Sequence, residues 1–224
     1  MKNLSTAERE EQSQKAAASF LNSFIYKDAE CVAAYFSMTC EADTLPIIAR
    51  AFLDKKRVLL PRVVPGSNAM DFYEIDCRVK RDNDSEAAPV SLALDVMSFP
   101  RLTRESFGEK MSGSSPDMTI AQSLAAQTES NAWGIREPLA ALPLISKKEI
   151  PARTAILVPG LAFAKDGRRL GRGKGFYDRY LSELRAANPA FAAQGKLCGC
   201  CLEAQIMDAV PTQENDVLMD AVFC

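Results

Sequence analysis

Between Asp166 and Leu181 the chain reads DGRRLGRGKGFYDRYL. Gly171, Gly173 and Gly175 occupy alternate positions, with Arg172 and Lys174 between them. Glycine has no Cβ, so the backbone of such a loop can turn its amides toward a ligand and approach it closely. Successive inward N–H groups form an anion nest. Arg169, Arg172 and Lys174 add full charges: arginine forks onto phosphate or carboxylate oxygens, and lysine acts as a point charge. A helix is predicted from near Phe176, and its free N–H groups and positive dipole end favour the same anion. The pattern is neither the Walker A loop nor GxGxxG; it is GxGxG. Asp178 has two readings. An acidic residue in a first helical turn is favourable on dipole grounds alone. It is also a hard oxygen ligand that could hold magnesium against a nucleotide's phosphates. On spacing alone the run reads as an anion site, the alternative being a solvated glycine-rich turn with helix-capping charges.

The composition narrows the chemistry. The chain has 224 residues, 47% apolar and 25% charged, as expected for one soluble globular domain with a sizeable core. The formal net charge of −2 leaves no general attraction to nucleic acid, and basic residues cluster nowhere else, so no nucleic-acid partner is expected. No apolar run reaches the roughly 18 residues of a membrane span, and the N-terminus has no apolar signal core. A cytoplasmic protein with no membrane partner is expected. There is no histidine. That excludes Ser-His and Cys-His nucleophilic pairs, histidine bases and histidine-bound zinc. Carboxylates, lysine, arginine, backbone amides and a hard metal ion are left to carry any reaction. The seven cysteines are scattered and odd in number, and CGCC sits in the apolar run KLCGCCLE, as buried strand residues do. A reducing compartment suits them.

The elements that must position the loop follow from the pattern. Ser5-Thr6-Ala7-Glu8 reads as a capping box, followed by a helical stripe of Ala17, Phe20, Leu21 and Phe24. CVAAYFSM at 31–38 is a buried strand, 44–54 a helix, KKRVLLPRVV a strand, and AMDFYEID a half-exposed strand. From about 81 to 131 the chain turns rich in Ser, Asp, Pro and Gly. We read this as an inserted, partly mobile excursion from a single domain spanning 1–224; only APVSLALDVM and TIAQSLAAQ could form short elements in it. TAILVPGLAF is a strand that leads directly into the glycine loop, and FYDRYLSELRAAN a helix with Tyr177, Leu181 and Leu184 on one stripe and Pro189 past its end. KLCGCCLE is a strand, AQIMDAV a helical turn and VLMDAVFC the last strand. Strands alternating with helices predict an α/β fold, a mostly parallel sheet covered by helices in three α/β/α layers. Ligands sit at the carboxyl ends of such strands, where the loop belongs.

LVPGLAFAKDGRRLGRGKGFYDRYL, with PG-x-x-F and G-x-R-L-G-x-G-K-G-x-Y-D together, resembles the signature of the 5-formyltetrahydrofolate cyclo-ligase (5,10-methenyltetrahydrofolate synthetase) family. YFSMTCEADT, NAMDFYEI, NAWGIREP and VPTQENDVLMDAV fall in that family's order, so the resemblance covers most of the chain outside 81–131. It implies a Rossmann-like fold of the CoA-transferase kind. It also implies an enzyme that uses ATP and Mg²⁺ to convert 5-formyltetrahydrofolate to 5,10-methenyltetrahydrofolate, releasing ADP and phosphate. The formyl oxygen is phosphorylated, N10 attacks the activated carbon, and phosphate leaves. A reduced folate would be the partner, and the assembly a monomer or weak homo-oligomer.

The resemblance also assigns residues. Arg169, Gly171, Gly173, Lys174, Gly175, Phe176 and Tyr177 match ATP-binding positions. Arg172 to Phe176 also match the stretch that faces the folate, and Lys174 and Arg172 match the catalytic cations. Asp178 and Asp216 match metal ligands. Glu41 matches a folate-binding carboxylate suited to an aminopterin edge, and Phe36 and Trp133 match apolar folate contacts. Without the resemblance, Tyr177, Phe36 and Trp133 read as core residues, Asp216 as a turn residue and Glu41 as a loop charge. Two departures stand out. Family members begin with a basic helix carrying Lys-x-x-Leu-Arg that reaches ATP, whereas Lys2 has no following Leu-Arg. The excursion is the other. A catalytically weak or inactive folate- or nucleotide-binding homologue is the alternative reading.

Overall fold

The computed structural model describes residues 4–76 and 116–224. Lys2 and APVSLALDVM lie outside them. Helix α1 (Thr6–Asn22) begins at the expected capping box, with Ser5 accepting from the Glu8 N–H and Glu8 accepting from the Ser5 N–H. It is followed by α2 (Phe24–Asp28), β1 (Cys31–Ala33), α3 (Leu45–Leu53), β2 (Arg57–Val63) and β3 (Met70–Ile75). From Pro116 come α4 (Pro116–Gln127), β4 (Thr128–Ser130), β5 (Arg136–Pro138) and β6 (Leu144–Ile145). The chain continues with β7 (Thr154–Val158), β8 (Ala162–Ala164), β9 (Arg169–Leu170), α5 (Phe176–Ala187) and α6 (Pro189–Gln194). Strands β10 (Lys196–Cys200), β11 (Ile206–Met207) and β12 (Ala221–Phe223) complete it.

Seven strands form the main sheet in the order β12-β10-β7-β1-β2-β3-β6. The pairs from β12 through β2 are parallel, and β3 and β6 add antiparallel edges. Alternation along each strand divides the core into two layers. Val32, Val58, Leu60, Ala155, Leu157, Cys198 and Cys200 pack with α1 to α4 on one face. Cys31, Ala33, Leu59, Ile156, Val158 and Leu197 pack with Tyr180, Leu181, Leu184 and Phe191 of α5 and α6 on the other. Both faces are covered, which is why β7 is buried at all five positions and reads as an unbroken apolar run. The expected α/β sandwich with a mostly parallel sheet is what forms. Phe191 fills its layer closely enough that a Cβ on Gly195 would run into its ring, at 2.2 Å.

Three local expectations change. Phe24 does not continue the α1 stripe: Ser23 breaks the helix and caps α2, leaving Phe24 78% exposed. TAILVPGLAF does not run straight into the glycine loop. It ends at Val158, and a hairpin of β8 and β9, joined by β11 into a three-stranded side sheet, intervenes. AQIMDAV holds only the end of a short 3₁₀ turn, Glu203–Gln205, and then extends as β11. Part of the stretch assigned to the excursion is described: TIAQSLAAQ falls within α4, and Ile120 and Leu124 are buried in the core with α3 and β2.

Candidate functional site

A cleft of about 1100 Å³ opens at the carboxyl ends of β1, β2 and β7. The chain leaving β1 contributes Tyr35, Phe36, Met38 and Glu41; the end of β2 contributes Pro61 and Val63; and the turn after β7 contributes Pro159 and Gly160. The β9–α5 connection supplies the whole stretch from Arg169 to Asp178. All thirteen residues selected from sequence line this one cleft: Phe36, Glu41, Trp133, Arg169, Gly171, Arg172, Gly173, Lys174, Gly175, Phe176, Tyr177, Asp178 and Asp216.

The glycine loop is shaped by two left-handed residues, Gly173 at φ 78° and Gly175 at φ 65°. L-residues with a Cβ disfavour this region by roughly 1–2 kcal/mol each. Gly175 is the N-cap of α5 and carries no side chain to bond the first turn, so the opening N–H groups of the helix have no capping partner at the cleft. Lys174 is exposed and pairs with no described residue. An uncapped helix start, a left-handed loop and an unpaired ammonium therefore share one edge of the cleft.

Arg169 sits differently from the other cations. Its side chain is only 6% exposed, donating from Nη2 to Asp178 Oδ1 at 2.6 Å and from Nη1 to the Pro159 carbonyl at 3.1 Å. Asp178 Oδ1 also accepts from the Val217 N–H at 3.2 Å. The pair thus pins the first turn of α5 to the β7 turn and to the C-terminal loop. Asp216, next to Val217, accepts from the Gln213 N–H at 2.7 Å and borders the cleft beside Asp178.

Glu41 marks the other end. It is 6% exposed; Oε2 accepts from the Met38 N–H at 2.8 Å and Oε1 from Arg172 Nη2 at 3.3 Å. Arg172 Nη2 also lies 3.3 Å from the Cys40 sulfur. Arg172 thus links the glycine loop to the buried carboxylate. Tyr177 lies between the two ends with its hydroxyl buried and without a partner among the described residues. Burial first, then the charge of Glu41, push its phenol well above the ordinary tyrosine range, so it stays neutral. Phe36, Pro61, Val63, Met70 and Ile135 make an apolar wall, and Trp133 stands 63% exposed at its rim.

Sequence reasoning missed Tyr35, Asn68, Glu137 and the Pro211–Gln213 loop, all of which line the cleft. Each lies in one of the segments matched to the family, but the burial of Glu137, for example, depends on β5 packing against β2, which no local pattern shows.

The model of the 5-formyltetrahydrofolate cyclo-ligase family matches residues 1–96 and 97–224. The chain is 27% identical over 220 residues to a probable 5-formyltetrahydrofolate cyclo-ligase of Caenorhabditis elegans, covering 98% of this chain and 84% of that protein. It is 36% identical over 91 residues to a 5-formyltetrahydrofolate cyclo-ligase of Mycolicibacterium smegmatis, 41% of this chain and 42% of that protein. The NMR structure of Aquifex aeolicus 5,10-methenyltetrahydrofolate synthetase superposes with a TM-score of 0.61 at 23% identity, over 99% of this chain and 81% of that one. A 5,10-methenyltetrahydrofolate synthetase from Mycoplasma pneumoniae gives 0.55 at 18% identity, over 99% and 89%. At these identities the two structures establish the fold.

Proposed function

The chain belongs to the 5-formyltetrahydrofolate cyclo-ligase family, and on that premise we propose that it converts 5-formyltetrahydrofolate to 5,10-methenyltetrahydrofolate with ATP and Mg²⁺, releasing ADP and phosphate. The observation that carries this reading is the two-ended cleft. One end presents an uncapped helix start, a glycine loop and Lys174, which suit phosphate. The other presents a buried carboxylate and a neutral phenol beside an apolar wall, which suit a flat ring with a polar edge. The volume, about 1100 Å³, exceeds what one small ligand fills.

The loop amides and the α5 N-terminus would receive the phosphates, and Lys174 would offset charge as a phosphoryl group moves to the formyl oxygen. Arg172, already on Glu41, would hold the two ligands in register. Glu41 would accept from the amino and ring N–H groups of the pterin. Phe36 and Trp133 would pack on the folate. With the folate bound, exclusion of water by this wall would strengthen the remaining charge interactions. Asp178 and Asp216 fit a magnesium ion bound chiefly through phosphate oxygens, because such ions take one or two carboxylates and keep the rest of their shell elsewhere. When bound, the ion would neutralise phosphate charge. No group of three metal-ligating side chains exists among the described residues, so an all-protein cage is not what this site offers.

The test is direct. Purified protein given 5-formyltetrahydrofolate, ATP and Mg²⁺ should develop methenyltetrahydrofolate absorbance, and a chelator should stop it. No absorbance with correctly folded protein and saturating substrates would remove the proposal.

A further inference from the structure

Four buried side-chain atoms have no hydrogen-bond partner among the described residues: Tyr35 Oη, Tyr177 Oη, Tyr180 Oη and Arg169 Nε. Tyr35, Tyr177 and Arg169 border the cleft. Orphaned polar groups therefore gather where a ligand would complete them. Arg169 and Tyr177 already have places in the site described above. Tyr35 has none.

Tyr35 follows β1 directly, at the carboxyl end of the sheet's central parallel strands, and is only 5% exposed. Its backbone is fixed, because the Thr44 hydroxyl donates to the Tyr35 carbonyl. Its phenol is held neutral, first by burial and then by the charge of Glu41, with Tyr177 also close enough to contribute. A buried hydroxyl without a partner is destabilising, and phenylalanine would fill the same volume without that penalty. The hydroxyl makes physical sense if something entering the cleft bonds to it.

We propose that Tyr35 is a substrate-recognition residue whose hydroxyl donates to the ring carbonyl on the polar edge of the bound pterin, beside Glu41. This rests on the folate reading above. The chemistry divides the edge between two groups. A 2-amino-4-oxo pterin presents amino and N–H donors next to a carbonyl acceptor. The Glu41 carboxylate can only accept, so it serves the donors and leaves the carbonyl unserved. A neutral phenol next to it supplies the missing donor.

The test is Tyr35→Phe in the full chain. The dissociation constant for 5-formyltetrahydrofolate is measured by calorimetry without ATP, alongside thermal unfolding of the ligand-free protein. The proposal predicts affinity weaker by about tenfold, with a melting temperature unchanged or raised. It also predicts a KM that rises with the affinity loss while kcat changes by less than about twofold. Equal affinity in the variant and the parent overturns it. So does a lower melting temperature without ligand, which would show that the hydroxyl already has a partner inside the fold. Failure of the parent protein to bind the folate at all would instead bring down the functional reading and this inference with it.

Discussion

Lys174 pairs with no described residue, while Arg169 is buried against Asp178 and Arg172 is tied to Glu41. Three cations close in sequence therefore sit in three different settings. Lys174→Ala should lower kcat by about 10²–10³-fold, the scale for removing one preorganised charge contact in a transition state. It should leave the denaturation midpoint unchanged, because the side chain is exposed and bonds to no described residue. Asp178→Ala should behave in the opposite way. It strands a guanidinium whose side chain is 6% exposed and should cost about 3 kcal/mol of stability even without nucleotide or magnesium. A residue serving only as a metal ligand would leave the ligand-free protein's stability untouched, so urea unfolding of the apo variant separates the two roles. The cations were legible in sequence because they sit at fixed steps in one loop. Which of them is buried was not, since Arg169 is enclosed by Pro159 and Asp178 from different turns. Tyr35 was hidden for a related reason: on sequence it was one more aromatic in an apolar run, and an unpartnered hydroxyl is a property of its three-dimensional neighbours.

At the scale of elements, α5 is the piece that aims the site. Gly175 holds its N-cap in the left-handed region, and Gly175→Ala should cost roughly 1–2 kcal/mol in backbone strain. It should also raise the KM for ATP, because the first-turn amides shift with the cap. The far end of α5 is anchored by Asn188. Its Oδ1 caps α6 by accepting from the Phe191 N–H at 3.0 Å, and its Nδ2 donates to the carbonyls of Lys147, at 3.0 Å, and Ile150, at 2.9 Å. Asn188→Ala should destabilise by about 2 kcal/mol, read from chemical denaturation, with ligand affinities unchanged. Local patterns located these elements well: the Ser5 capping box starts α1, and the apolar run from Thr154 is β7. The β8–β9 hairpin escaped because its strands are three and two residues long. Elements that short exist only through the pairing they make with each other and with β11.

Across the whole molecule, the layering sets both solvent access and the placement of the cleft. Burial pushes the thiols of Cys31, Cys198 and Cys200 from 9.0 up to about 12, and raises Cys201 as well. At pH 8 a thiol reagent should label Cys40 and Cys224 among the described cysteines and spare those four until the chain unfolds, as peptide mapping would show. In the unfolded chain these thiols release protons from about pH 9, whereas in the native state they keep them to about 12. Their contribution is therefore intact below pH 9 and declines as the pH rises through that window. Continuous apolar strands alternating with helices revealed the three layers in advance, whereas the meeting of Glu41 with Arg172, 131 positions away, depends on how the sheet is ordered. That meeting supports the proposal that ATP and the folate would share one cleft and react only together. The most direct check is to measure ADP and methenyltetrahydrofolate in the same reaction. One ADP should form per methenyltetrahydrofolate, and neither product when 5-formyltetrahydrofolate or ATP is omitted. ADP release without the folate, or methenyltetrahydrofolate formed at the same rate without ATP, would contradict the proposal.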